Sequence, residues 1–258
     1  MEESRKLIAL AIKCQGNWNL IYKELQKHEL LPNSEVDELI SSMPCKAISM
    51  LDEEYPEYLK EITYPPFVLF YYGNISLIKD YKHNLAVIGS REYTNYGEMV
   101  TKDIVRGVRR DINIVSGLAR GIDAIAHQAA LDSLHHTIAV LGSGIDICFP
   151  LSNKDLYEEI KRRGLVISEY PPGTVPQRYF FPMRNRIVAA ISRGVLITES
   201  KRRSGTMITV LDALCTNRLV FCVPSGDLGN SGCNLVIKEG AHLVESAEDI
   251  NDFYRVFA

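Results

Sequence analysis

A chain of 258 residues with 46% apolar composition can bury one substantial core plus a smaller satellite, and a formal charge of −3 argues against indiscriminate binding to polyanions. No apolar run approaches the roughly 20 residues that span a bilayer, and the start is acidic and then amphipathic, so neither membrane insertion nor a secretory leader is expected and a cytoplasmic location follows as the default. The six cysteines are scattered without a C-x-x-C pair and the histidines offer no H-E-x-x-H, which leaves no disulfide framework, zinc site or other cofactor to expect.

In chain order, apolar spacing over 5–43 predicts two or three short helices, the last behind the cap signal Asn33-Ser34. The stretch from Tyr55-Pro56 to Pro65-Pro66, with the apolar run Phe67 to Tyr72 closed by Gly73-Asn74, reads as a linker followed by a strand or extended arm. Six short apolar runs follow: Leu85–Ile88, Asn113–Val115, Thr137–Leu141, Leu165–Ile167, Val195–Ile197 and Leu219–Val223. Amphipathic segments at about 95–110, 121–132, 152–163, 184–192 and 204–217 alternate with them. Strands apolar on both faces and separated by helices predict an α/β fold, a doubly wound, mostly parallel sheet with right-handed crossovers. The expected organisation is a small helical module over 1–50, a linker or arm over 51–80 and the α/β domain over 81–258.

The net charge hides a local excess. Between Pro171 and Thr206 stand seven bases, Arg178, Arg184, Arg186, Arg193, Lys201, Arg202 and Arg203, against the single acid Glu199, whereas residues 1–80 hold 8 bases against 13 acids. In an open parallel sheet, ligands bind beyond the carboxyl ends of the strands. The loops predicted there pair small residues with cations: Gly89-Ser90-Arg91, Ser116-Gly117 with Arg120-Gly121, Gly142 and its neighbours, Arg184-Asn185-Arg186 after Phe181, and Lys201 to Thr206 through Ser204-Gly205. Glycine and serine let a backbone approach an anion, and guanidinium groups hold phosphates by paired hydrogen bonds. Aromatic residues Tyr170, Tyr179, Phe180 and Phe181 interleave with Arg178, Arg184 and Arg186, the combination that suits an unpaired nucleic-acid strand, whose bases stack on rings while arginine holds phosphates.

Each element also has a plainer explanation. Gly117 and Gly121 serve any tight strand-to-helix turn, Asp123 suits a helix dipole, Ser204-Gly205-Thr206 suits a helix cap, and Lys201-Arg202-Arg203 suits a solvated run. Arg184 and Arg186 stand two apart and cannot share one helix face cleanly. Repetition at successive strand ends favours the phosphate reading over these. A dinucleotide site is disfavoured, because Gly142-x-Gly144 continues to Ile147 and then Cys148-Phe149-Pro150 where a helix should begin, and no P-loop is present. Glu169 and Glu199 end strands without a nucleophile or histidine attached by spacing, and are expected to be structural, bonding the glycine loops.

These runs together closely resemble the DNA-processing protein family DprA, also called Smf. The matching segments are Ala86 to Arg91, Tyr96-Gly97, Val115 to Asp123, Ala126-His127, Thr137 to Gly142, Ser168 to Gly173, Phe181 to Ile187, Ser204 to Thr206 and Gly240 to Ile250, in family order over roughly 50–250. The resemblance implies an extended Rossmann-like domain that dimerises, a non-catalytic role in DNA uptake and natural transformation, protection of incoming single-stranded DNA, and loading of the RecA recombinase onto it. It places the DNA pocket on Arg91, Arg178 and Phe181, with Phe180 an extra ring beside it, and likens the helical module to a sterile-alpha-motif (SAM-like) domain. The alternative is a nucleotide enzyme, since Rossmann-like nucleoside-monophosphate phosphoribohydrolases carry a glycine-threonine loop at a similar place. Arg202 to Thr209 lacks the paired glycines and trailing glutamate of that motif.

Overall fold

The computed structural model describes residues 2–27 and 31–256. Three helices, α1 (Glu2–Lys13), α2 (Trp18–Gln26) and α3 (Asn33–Ser41), form the N-terminal helical module. The module buries Leu7, Ile8, Ala9 and Ala11 of α1, Ile21 of α2 and Val36 of α3, and Leu7, Ile8, Ala11 and Ile21 join a core cluster with Val68 and Phe70 of the sheet.

The remaining elements are β1 (Lys46–Ser49), β2 (Val68–Gly73), β3 (Asn84–Gly89), α4 (Asn95–Gly107), β4 (Asn113–Ser116), α5 (Ile122–Asp132), β5 (Thr137–Leu141), α6 (Lys154–Arg163), β6 (Leu165–Ser168), α7 (Phe180–Ala190), β7 (Gly194–Glu199), α8 (Thr206–Cys215), β8 (Leu219–Cys222), α9 (Gly232–Lys238), β9 (His242–Leu243) and α10 (Ala247–Val256). The described strands make one sheet in the order β1-β2-β6-β5-β4-β3-β7-β8-β9. From β6 to β9 every pair is parallel, while β1 with β2 and β2 with β6 are antiparallel. The fold is therefore the doubly wound, mostly parallel, Rossmann-like α/β architecture, and all six apolar runs of its α/β portion are strands. Of the strand or extended arm expected over Phe67 to Tyr72, the strand is found: β2 pairs with β6 from Phe70 against Ser168 to Gly73 against Leu165 and extends the sheet.

Each face of the sheet is apolar because both are covered. Ala86, Ile88, Val140 and Ile197 pack under α7, α8 and α9. Leu85, Val87, Ile114 and Leu196 pack under α4, α5 and α10 on the other side. Burial on both faces explains why these strands read as continuous apolar runs rather than alternating ones. α7 begins at Phe180, four residues before the position expected from sequence. Pro182 falls in its first turn, where a missing N–H costs nothing, so proline there starts a helix rather than delaying it.

That early start sets the site. Phe181, Arg184, Asn185 and Val188 recur at helical spacing, so one face of α7 presents them together, whereas Phe180 and Arg186 look elsewhere.

Candidate nucleic-acid interface

β3 is the strand from which the chain runs outward in both directions, to β4 on one side and β7 on the other. Such a switch point leaves a crevice beyond the strand ends. Here the loops after β3, β4 and β7 and the first turns of α7 surround a cavity of about 670 Å³.

The β3 loop is held from two sides. A Cβ on Gly89 would stand 2.7 Å from Ile122 Cγ1 and 2.8 Å from the Glu199 carbonyl, so only glycine lets the loop pass there. The Ser90 amide donates to the Glu199 carbonyl at 2.8 Å, and the Thr94 amide and hydroxyl donate to the Glu199 carboxylate at 3.0 and 2.9 Å. Gly121 has φ +81, and a side chain there would strike the Ser90 carbonyl, which itself accepts from the Ile122 amide at 3.1 Å. Together these contacts fix Arg91, whose side chain is exposed on the cavity rim.

Arg184 forms the floor. It is 5% exposed, and its Nη1 donates to the carbonyls of Gly117 and Val140, tying α7 to the ends of β4 and β5. Asp123, 7% exposed, accepts from the Ala119 amide at 3.3 Å. Burial pushes the Asp123 carboxyl up and the Arg184 guanidinium down, and each charge opposes the shift of the other. Arginine stays a cation throughout the accessible pH range, so Arg184 sets a positive charge at the floor near Asp123. The outward charge of the site is carried by the rim, where Arg91, Arg178 and Lys201 are exposed.

Phe181 is half-buried in the wall. A Cβ on Gly142 would stand 2.8 Å from its Cδ1, and the Arg91 guanidinium carbon lies 5.9 Å from its ring centroid. Phe149, from the loop after β5, is the other ring of the wall, its centroid 5.7 Å from that of Phe181 with the planes 39° apart. Phe149 is not among the site residues expected from the sequence, where it stands only in the break after Gly142-x-Gly144. The available signal was an aromatic residue in a loop at the same strand-end edge.

Of the residues singled out from sequence, Gly89, Ser90, Arg91, Gly117, Arg178, Phe181, Arg184, Asn185, Ser204, Gly205 and Thr206 line this one cavity. Lys201, expected to be a solvated residue, lines it as well. Ser116, Gly121 and Gly142 stand behind the lining, with Ser116 Oγ donating to the Val87 carbonyl at 2.6 Å. Arg120 is exposed outside it. Phe180 is 3% exposed and stacks on Tyr170 at 3.8 Å between centroids, so it belongs to the core. Arg186 is also internal: its Nη2 donates to both carboxylate oxygens of Glu169 at 2.7 and 2.9 Å, and its Nε to the Tyr64 carbonyl at 2.9 Å. The expectation that Glu169 bonds a glycine loop is thereby corrected. A buried carboxylate needs a full counter-charge, and Arg186 supplies it. Glu199 does bond the β3 loop.

One carboxylate intrudes on the rim. Glu92 Oε2 lies 3.2 Å from Lys201 Nζ, with both side chains largely exposed. Among the described residues, no group of histidine, cysteine, aspartate or glutamate side chains is arranged to hold a metal ion.

The family model for DNA recombination-mediator protein A matches residues 46–255. DNA processing protein DprA of Streptococcus pneumoniae is 44% identical over 206 residues, covering 79% of this chain and 72% of that protein. The Bacillus subtilis protein of the same name is 37% identical over 206 residues, covering 79% and 69%. The X-ray structure of the S. pneumoniae protein superposes with a TM-score of 0.80 at 35% identity, covering 96% of this chain and 92% of that one. A structure of DNA processing protein A from Helicobacter pylori, described for its single-stranded DNA binding mode, superposes with a TM-score of 0.75 at 28% identity, covering 84% and 98%. With a matching model over four fifths of its length and these relatives, the chain belongs to the DNA recombination-mediator protein A family.

Proposed function

We propose that this protein binds single-stranded DNA in the switch-point cavity, without catalysing a reaction, and acts as a recombination mediator. The observation that carries the reading is the gathering of Arg91, Arg178 and Lys201 around one opening whose wall includes Phe181. Exposed cations at a rim hold phosphates while a ring takes a base, and this combination tolerates any sequence because every base has a π-face. The single-stranded DNA binding described for the H. pylori relative supports it. In the same proposal the bound strand is incoming DNA of natural transformation, protected and then passed to the RecA recombinase. The family description and the sequence resemblance support that role.

A binder is favoured over a phosphoribohydrolase because Arg202 to Thr209 lacks the paired glycines and trailing glutamate of that enzyme's motif and the floor acid of the cavity is buried. Asp123 is shut away from water at the floor, and Glu92 is drawn to the rim beside Lys201. Chromatography for free base after incubation with nucleoside monophosphates tests the enzyme reading directly.

The binding experiment is a salt titration with oligonucleotides. Arg91→Ala and Arg178→Ala each remove one phosphate contact, so each lowers the slope of log affinity against log salt by about 0.7. A folded double variant with unaltered affinity and slope would remove the proposal.

The proposal includes a homodimer. Leu211 and Leu214 of α8 are 62% and 57% exposed, beside a second, more apolar groove of about 420 Å³ that also involves Leu235 and Val236 of α9. An exposed apolar patch of this kind suits a partner surface. Sedimentation of the wild type and of Leu211→Glu checks it.

A further inference from the structure

Phe149 is a large apolar ring that is 49% exposed, and single exposed rings are common enough to need no explanation. What distinguishes Phe149 is that its loop is rigid and that its side chain faces the cavity. Ser143 Oγ donates to the Ile147 carbonyl at 2.7 Å, and the Ile147 amide donates to the Gly144 carbonyl at 2.8 Å. Ser168 Oγ donates to the Ser143 carbonyl at 2.6 Å, anchoring the loop to β6. On the far side of Phe149, Asn153 Nδ2 donates to the Leu118 and Ala119 carbonyls at 3.0 and 3.2 Å, anchoring it to the loop after β4. The backbone on both sides of Phe149 is thus anchored before any ligand arrives, which lowers the ordering cost of stacking on its ring.

Phe181, by contrast, is half-buried, backed by Gly142 and approached by Arg91. Its free face is smaller than that of Phe149. The two rings cannot sandwich one base, because a sandwich needs about 7 Å between them, two layers at the 3.5 Å of close carbon contact. Their centroids are 5.7 Å apart and the planes diverge by 39°.

We propose that Phe149 is a second base-stacking surface of the cavity, taking a neighbouring nucleobase of the same unpaired strand rather than sharing the base that meets Phe181. The proposal rests on the single-stranded DNA reading of the cavity. It adds that base contact there is divided between two rings on different loops, so that adjacent bases are splayed apart.

The experiment compares oligothymidine with an abasic oligonucleotide of equal length at one fixed salt concentration, using wild type, Phe149→Ala, Phe149→Leu and Phe149→Tyr. Loss of one base-to-ring stack weakens binding by at least about fivefold. The expected result is that loss for Phe149→Ala and Phe149→Leu on oligothymidine, no change on the abasic strand, an unaltered salt slope, and wild-type affinity for Phe149→Tyr. Because the ring is exposed, all three variants should melt with the wild type. Wild-type affinity for oligothymidine in Phe149→Ala, or equal losses on both strands, overturns the proposal while leaving the cavity's DNA reading intact. Failure of the wild type to bind either strand overturns both.

Discussion

Gly117 and Arg184 occupy space that no larger pair could share. A Cβ at position 117 would overlap the Arg184 guanidinium, whose Nη1 also donates to the Gly117 carbonyl. The glycine is required for close approach, since its φ is not among the positive ones. Gly117→Ala must therefore push a buried cation away from the carbonyls and from Asp123. Forcing one extra carbon into a packed interior costs roughly 1–3 kcal/mol, so the melting temperature falls. Oligonucleotide affinity falls too, because the displaced side chain enters the cavity. A melt and a binding curve equal to wild type would show that the floor is not built around this contact.

The strands of the parallel portion and the loops at their ends were legible from composition, because burial on both faces makes each strand a continuous apolar run. Arg184 and Arg186 illustrate the limit. Their spacing shows that they part company on a helix, but which of them meets the cavity depends on where α7 begins, and Pro182 hides that start. Phe180 and Phe181 are likewise adjacent and interchangeable by type. Only the fold puts one against Tyr170 and the other against Gly142. Glu92 escaped notice for a related reason: an acid in a glycine-serine loop looks solvated until a lysine 109 positions later is found across from it.

Glu92 competes with phosphate for Lys201. The backbone of Glu92 is pinned, its amide donating to Ser90 Oγ at 3.1 Å while its carbonyl accepts from the same hydroxyl at 2.5 Å, so its carboxylate stays near the rim. Glu92→Gln leaves that backbone alone and frees the lysine. An exposed pair contributes little to folding, so stability should not move. Affinity for single strands should rise, and the salt slope should steepen by up to about 0.7, one further phosphate contact. Lys201→Ala should cancel the gain. An unchanged slope in Glu92→Gln would show that Glu92 does not withhold Lys201 from phosphate.

Glu169 and Arg186 carry folding rather than binding. Burial pushes the Glu169 carboxyl up, and the arginine beside it pulls it back toward ionisation. Removing one member strands the other without solvent, a loss of about 3–5 kcal/mol, whereas replacing both with apolar residues of similar bulk recovers much of it. Glu169→Gln should thus melt well below wild type, and Glu169→Leu combined with Arg186→Met well above the single variant. Oligonucleotide affinity of the folded double variant should match wild type, since neither side chain lines the cavity. A selective loss of affinity would place Arg186 in the DNA site after all.

His127 gives the fold a pH dependence whose sign is fixed by burial. The residue is 0% exposed, and its Nδ1 lies 2.6 Å from Thr137 Oγ1, a hydroxyl that donates to the Ile114 carbonyl at 2.9 Å. With that proton committed, Thr137 must accept, so Nδ1 carries the imidazole hydrogen and the bare Nε2 faces the interior without a partner. Burial, and secondarily the Arg184 charge, lower its pKa from 6.5 to about 3. Between those values the unfolded chain binds a proton that the folded one refuses. Stability is therefore fully present above pH 6.5 and is lost as pH falls toward 3, by an amount of the order of a few kcal/mol at the low end. Buried Asp123 and Glu169 shift the other way and partly mask the trend. His127→Leu isolates it: the difference in melting temperature between variant and wild type should move in favour of the variant as the buffer is taken from pH 7.5 to pH 5. A difference that stays constant across that range would mean that the imidazole finds a proton acceptor or solvent in the folded protein.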